Sequence, residues 1–135
     1  MVKSNAGDLL AIPLGEGAGL AKVIFASSYF KDVILLKLYR KRLPDGREPD
    51  PDDFAGEFDL YYTAQNPIRK GHWLIVGSEP VSAAEVGLTK RTSGGEVWIE
   101  DRHLGPASAN DLAELPEMLV HGFKLVEKYA SRSRA

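Results

Sequence analysis

The 135-residue chain contains no cysteine. That excludes disulfides, thiolate metal sites and cysteine nucleophiles together, and it fits a reducing compartment. A surplus of positive charge is missing as well. Seventeen Lys and Arg stand against 19 Asp and Glu, for a formal net charge of -2, whereas dedicated nucleic-acid and membrane-surface binders carry a basic excess. Long apolar runs are absent too. The opening segment MVKSNAGDLLAIPLGEG has one lysine, and Pro13 breaks its apolar stretch after a few residues, so it reads neither as a signal peptide nor as a membrane span. The expectation is a soluble cytoplasmic protein with no membrane and no nucleic-acid partner. What the chain does have, 44% hydrophobic and 27% charged residues at the length of one ordinary domain, is enough to bury a core without staples.

Glycine is concentrated in one place of interest. In GDLLAIPLGEGAGLAKVIF (7 to 25), Gly15, Gly17 and Gly19 alternate between two apolar runs. A dinucleotide fingerprint needs a third glycine at position 20, which is Leu20, and a P-loop needs a Gly-Lys pair, where Ala21 precedes Lys22. The residues that follow are β-branched and aromatic and continue as a strand, so no helix N-terminus awaits a phosphate. The segment therefore reads as a hairpin loop, whose positive φ angles glycine tolerates.

Around that hairpin the pattern is strand-rich. Residues 9 to 14 and 20 to 26 form its two arms, and Pro13, which cannot donate to a ladder, places the first arm at an edge or a bulge. Residues 32 to 39 are apolar enough to be buried on both faces, 57 to 63 alternate as a half-exposed strand, and 71 to 77 and 96 to 101 complete the set. Ser82 with Glu85 and Ser108 with Asp111 have the spacing of capping boxes. The first opens a single turn before Gly87. The second leads into the main helix, with Pro116 at a first-turn position and an apolar stripe of Leu115, Leu119, Phe123, Val126 and Ala130. The expected architecture is a single α+β domain over 1–135. Its core is a β-rich, mostly antiparallel twisted sheet or SH3-like partial barrel of five to six strands, with a C-terminal helix packed on it. Residues 40–57, with three of the eight prolines, form a long acidic surface loop, and the basic tail 131–135 is expected to be disordered.

Catalytic and metal-binding signals are weak. His72, His103 and His121 show no mutual ligand spacing, so no metal and no cofactor is expected. His121 falls at the boundary of the helix, and His72 precedes Trp73 at a strand start. EVWIEDRH brings Glu100, Asp101, Arg102 and His103 to a strand end, where general acid–base pairs often sit. Alternation instead sends the two carboxylates to opposite faces and leaves DRHLGP as a polar turn. No nucleophile elbow or Ser-His-Asp logic is present, and no catalytic residues are assigned.

The acidic segment stands out more. Between Asp45 and Asp59 lie seven carboxylates and one base, Arg47, a local excess of six negative charges. It reads either as a solvated loop kept soluble by its charge or as a docking surface for a basic partner. The candidate partner-binding residues are Asp50, Asp52, Asp53, Phe54, Glu57, Asp59 and Tyr61, aromatics flanked by carboxylates as in an interface anchor with a polar rim.

Two segments bear a family likeness. GDLLAIPLGEG followed by AKVI resembles the opening of the immunity protein 26 family of bacterial polymorphic-toxin systems, and GHWLIVGSEPVSAAE resembles that family's Trp-containing middle segment. Together they cover about a fifth of the chain. The resemblance implies a non-enzymatic protein that binds and neutralises a cognate toxin domain in the bacterial cytosol, a basic nuclease being one candidate. It implies no catalytic residues. Gly7, Asp8, Ile12, Pro13, Leu14 and Trp73 at the matched positions read as scaffold. Two other classes stay open. One is an SH3-like barrel acting on RNA; the other is a ligand-binding or structural module with an apolar pocket between Trp73, Trp98 and the helix. Oligomeric state is unassigned.

Overall fold

The glycine-rich segment is indeed a turn. In the computed structural model, which describes residues 4–132, it joins β1 (Asp8–Pro13) to β2 (Ala18–Ala26) as an antiparallel hairpin. Gly17 adopts φ +70, its amide donates to the Asp45 carboxylate at 2.6 Å, and a Cβ there would lie 1.9 Å from the Leu43 carbonyl oxygen. Gly19 lets the C-terminal helix descend, since a Cβ would sit 2.8 Å from that of Ala130. Gly15 meets nothing within 4 Å. Two of the three glycines thus serve close packing, and none forms a cradle.

The remaining elements follow as β3 (Val33–Leu43), a single 3-10 turn (Pro51–Asp53), β4 (Phe58–Ala64), α1 (Asn66–Arg69) and β5 (Leu74–Ser78). Then come α2 (Ala83–Gly87), β6 (Arg91–Ser93), β7 (Glu96–Ile99), β8 (Arg102–Pro106), α3 (Ala109–Glu114), β9 (Val120–His121) and α4 (Phe123–Ser131). The main sheet runs β5-β1-β2-β3-β4-β9, antiparallel except for the short parallel β4–β9 pair, and β6, β7 and β8 form a separate three-stranded meander. The architecture is α+β with the C-terminal helix packed on the sheet. β5 and β9 remain separate edges, so the sheet does not close into a barrel. No helix among the described residues is long and apolar enough to cross a membrane.

Alternation sorts the core onto two faces. Leu10, Ile12, Ala21, Val23, Ile34, Leu36 and Leu38 meet Ile68, Trp73, Val126 and Ala130 beneath α4. The Trp73 indole N–H finds its partner in Glu127, at 3.0 Å. The opposite face is split. Leu9, Leu20, Tyr39 and Leu43 pack under Phe54, while Ile24, Phe25, Leu35 and Tyr62 pack under Val81, Leu88 and Met118.

Between these two clusters sits a charge. Lys22, fully buried and opposite Lys37 in the β2–β3 register, donates to Glu85 and Glu79 at 2.8 Å each and to the Pro80 carbonyl at 3.0 Å. The other Glu85 oxygen accepts from Lys37 at 3.1 Å. Glu85 also closes the Ser82 capping box of α2, accepting the Ser82 amide at 3.0 Å while the Ser82 hydroxyl accepts the Glu85 amide. Burial alone would raise the Glu85 carboxyl. The hydrogen bonds from Lys22, the Ser82 amide and Lys37 outweigh it and hold the group at about 2, below its ordinary 4.5.

Several expectations are corrected. β1 is an interior strand between β5 and β2, not an edge. Pro13 is tolerated because β5 pairing stops at Ala11, two residues earlier, and the bulge against β5 falls at Leu9/Leu10. The single long helix is two short ones. α3 ends at Leu115, which the following proline pushes to φ -89, ψ 144, and the chain then binds the meander, Thr92 donating to the Pro116 carbonyl and accepting from Met118. His121 consequently lies on β9, and Leu119 is exposed. DRHLGP is strand β8 apart from its first residue, the turn being Glu100–Asp101. Of the tail, Ser131 ends α4 and Arg132 caps it, while residues 133–135 lie outside those described.

Two stability measurements follow. Gly17→Ala and Gly19→Ala should each lower unfolding free energy by about 1–3 kcal/mol in urea titrations, through strain and overpacking, whereas Gly15→Ala should stay within about 0.5 kcal/mol. Because Glu85 is depressed from 4.5 to about 2, its ionised form stabilises the fold above the higher value, and that contribution disappears as pH falls through the lower one. Glu85→Gln should therefore cost about 3–5 kcal/mol near neutrality by leaving Lys22 buried with only the half-exposed Glu79 as counter-charge and Lys37 beside it with none. Its deficit relative to the parent chain should narrow as pH is lowered across that window.

Candidate functional site

The acidic segment is stitched to the basic end of β3. Asp50 caps the 3-10 turn, its carboxylate accepting the Asp52 amide at 3.0 Å, and the Asp53 carboxylate returns to the Asp50 amide at 2.8 Å. Asp53 is buried and also accepts from Arg47 at 2.7 Å and Lys41 at 3.1 Å. The Asp50 amide, with those two cations, keeps the Asp53 carboxyl below its usual value despite burial. Phe54 is buried too, packed edge-on against Tyr39 at 6.1 Å between centroids. These two members of the predicted set therefore hold the loop down and face away from solvent. Asp52, by contrast, is exposed.

The other three come together. Glu57, Asp59 and Tyr61 line one open groove of about 520 Å³ along β4, with Leu38, Tyr39 and Arg40 on one side and Tyr129 and Arg132 from the end of α4 on the other. Arg40 makes a two-pronged contact with Asp59, 2.9 and 2.7 Å, and reaches Glu57 at 3.5 Å. The Arg40 hydrogen bonds lower the Asp59 carboxyl. The Tyr61 ring stacks on Tyr129, centroids 4.9 Å apart at 19°, with His121 edge-on at 5.3 Å. Burial, followed by the charge of Asp59, raises the Tyr61 phenol. The groove offers a flat aromatic pair beside carboxylates, a composition suited to contact with a macromolecule.

EVWIEDRH does not converge on one point. The Asp101 carboxylate pins the β2–β3 loop through the Ser27 hydroxyl and the Ser28 amide, the latter at 2.7 Å. His103 lies against Trp98 at 4.9 Å and near Glu96 at 3.6 Å. Glu100 takes φ 52 in the tight β7–β8 turn. Arg102, Glu100 and Asp101 join Lys31, Asp32 and Arg69 around a wider polar groove. Trp73 and Trp98 lie in separate clusters, and neither lines the two grooves described above.

Sequence reasoning passed over Arg40, Tyr129 and Arg91. Arg91 is fully buried, its guanidinium over the rings of Phe25, Phe30 and Tyr62 at 5.3–5.6 Å and donating to the carbonyls of Thr89 and Glu100. The available signal for Arg40 was the basic run Arg40–Arg42 directly before the acidic segment. Comparison of the chain with protein-family models, with curated proteins and with solved structures gives no match.

The loop's dual character has a direct check. Phe54→Ala should cost about 3–5 kcal/mol of unfolding free energy, whereas Asp52→Ala should change it by less than about 0.5 kcal/mol, both read by chemical denaturation.

Proposed function

We propose that this protein is a non-enzymatic immunity protein of the bacterial cytosol that binds and neutralises a cognate toxin domain, docking a cationic face of that domain on the acidic segment and the β4–α4 groove. The observation that carries the reading is the meeting of Glu57, Asp59 and Tyr61 with Tyr129 in one open groove. The resemblance of the GDLLAIPLGEG and GHWLIVGSEPVSAAE segments to immunity protein 26 supports the biological class.

The physical logic is one of complementarity. Lys41, Arg47 and Arg40 neutralise Asp53 and Asp59, but Glu48, Asp52 and Glu57 remain exposed. A nuclease toxin presents cations where it grips phosphates, and these carboxylates would occupy the same positions. Charge at the rim accelerates encounter and rejects acidic partners, while the stacked tyrosines supply buried contact area.

The test is whether a neighbouring gene encodes a toxic C-terminal domain and whether that domain, purified, binds this protein, read by calorimetry and by surface plasmon resonance. Asp52→Lys combined with Glu57→Lys should weaken binding at least about tenfold, with a steeper loss in the association rate than in the dissociation rate. An unchanged affinity would remove the acidic segment from the interface.

A further inference from the structure

We propose that the chain forms a symmetric dimer through β5, pairing antiparallel with β5 of a second copy so that two six-stranded sheets become one. This goes beyond the toxin-binding reading and does not depend on it.

β5 is the free edge of the main sheet, hydrogen-bonded on one side only, to β1. Its residues LIVGS are all exposed, with Leu74, Ile75 and Val76 showing 48%, 39% and 41% of their surface. Edges meant to stay single are blunted by lysine, proline, inward charge or bulges. β5 carries no charge and no proline, and its single bulge, the extra residue Val76, lies in its pairing with β1 and leaves Leu74 and Ile75 before it in regular register. The opposite edge, β9, is only two residues long and offers a far shorter ladder.

The charges flanking β5 select the occupant. Lys70 and His72 precede the strand and Glu79 follows it, all exposed. Lys70 makes no ion pair among the described residues, and Glu79 engages Lys22 through one oxygen only. A two-fold axis normal to the sheet at Ile75 sets one copy's Lys70–His72 beside the second copy's Ser78–Pro80, with Glu79 at the centre of that stretch, twice over. No like charges face each other across the seam, because the strand itself has none. The strand is therefore complementary to itself in both apolar surface and charge, which is what a two-fold interface requires.

Sedimentation of the full chain without any partner should give a concentration-dependent species of twice the 14.8 kDa chain mass. Val76→Lys, which sets two cations beside the axis, should weaken dimerisation by at least about tenfold. Lys70→Glu, which changes no strand residue and sets carboxylates beside Glu79, should weaken it as well while leaving the melting temperature of the dilute protein unchanged. Amide exchange at 75–77 should slow as concentration rises. A single-chain mass at every concentration, or a dimer untouched by both variants, overturns the proposal, as does one dispersed by Val120→Lys at the other edge.

Discussion

Glu85 has to be where it is because Lys22 and Lys37 are. The two lysines face each other across β2 and β3 on the inner side of the sheet, an arrangement that repels unless something negative lies between. Glu85 supplies it with both oxygens at once and, through the Ser82 box, ties the N-terminus of α2 to the same spot. The helix is only five residues long, too short to persist by propensity, so its position over the sheet rests on this contact. A one-residue slip between β2 and β3 would also turn Lys22 toward the apolar layer under α4, away from Glu79 and Glu85. The charge thus fixes register, helix and the division of that face into two apolar clusters.

The same device recurs with different partners. Asp53 is brought inside by Lys41 and Arg47, and Asp59 is held by Arg40. The Lys41 and Arg40 pairings join the long loop and β4 to the end of β3, and the Arg47 pairing closes the loop on itself. Among the described residues Arg91 has no carboxylate within hydrogen-bond reach. Its charge rests on the faces of Phe25, Phe30 and Tyr62 and on two backbone carbonyls, with burial lowering its basicity. Aromatic faces and carbonyl dipoles take over part of the work of a counter-ion there. The acidic excess read from composition is therefore smaller at the surface than in the sequence, since part of it is spent inside the fold.

Where a signal is local, the sequence shows it. The glycine hairpin and both serine capping boxes each depend on residues a few positions apart, and each is found as expected. Asp8 likewise accepts a backbone amide at the start of β1, from Asn5 at 2.7 Å. The long C-terminal helix fails because its apolar spacing is an accident of two elements. Val126 and Ala130 do face the core, but Leu119 belongs to the stretch that Pro116 turns toward Thr92. Strand β8 was hidden because its residues, RHLGP, are nearly all exposed and leave no alternation of apolar and polar positions to read. For the candidate site, Glu57, Asp59 and Tyr61 were legible as part of an acidic–aromatic segment. Tyr129, which completes the groove, lies 68 residues away on another element, and no pattern in either segment links them. The inward turn of Phe54 was equally hidden, as a loop without period gives no face to assign.

That long-range pairing explains why the groove is a surface with defined shape. Tyr129 is carried by a nine-residue helix, and a helix of that length wanders unless fixed. Three contacts along its length fix it: Trp73 with Glu127, Gly19 beneath Ala130, and the Arg42 guanidinium on the Ser131 carbonyl at 3.1 Å. Two of these reach back to β2 and β3, the strands locked in register by Lys22, Lys37 and Glu85. The stacking of Tyr129 on Tyr61 is thereby set by the buried charges, so the docking proposed above would cost little side-chain freedom there. An open groove in which charged side chains flank a stacked tyrosine pair gains from such rigidity, because both its polar and its flat aromatic contacts reward preformed shape.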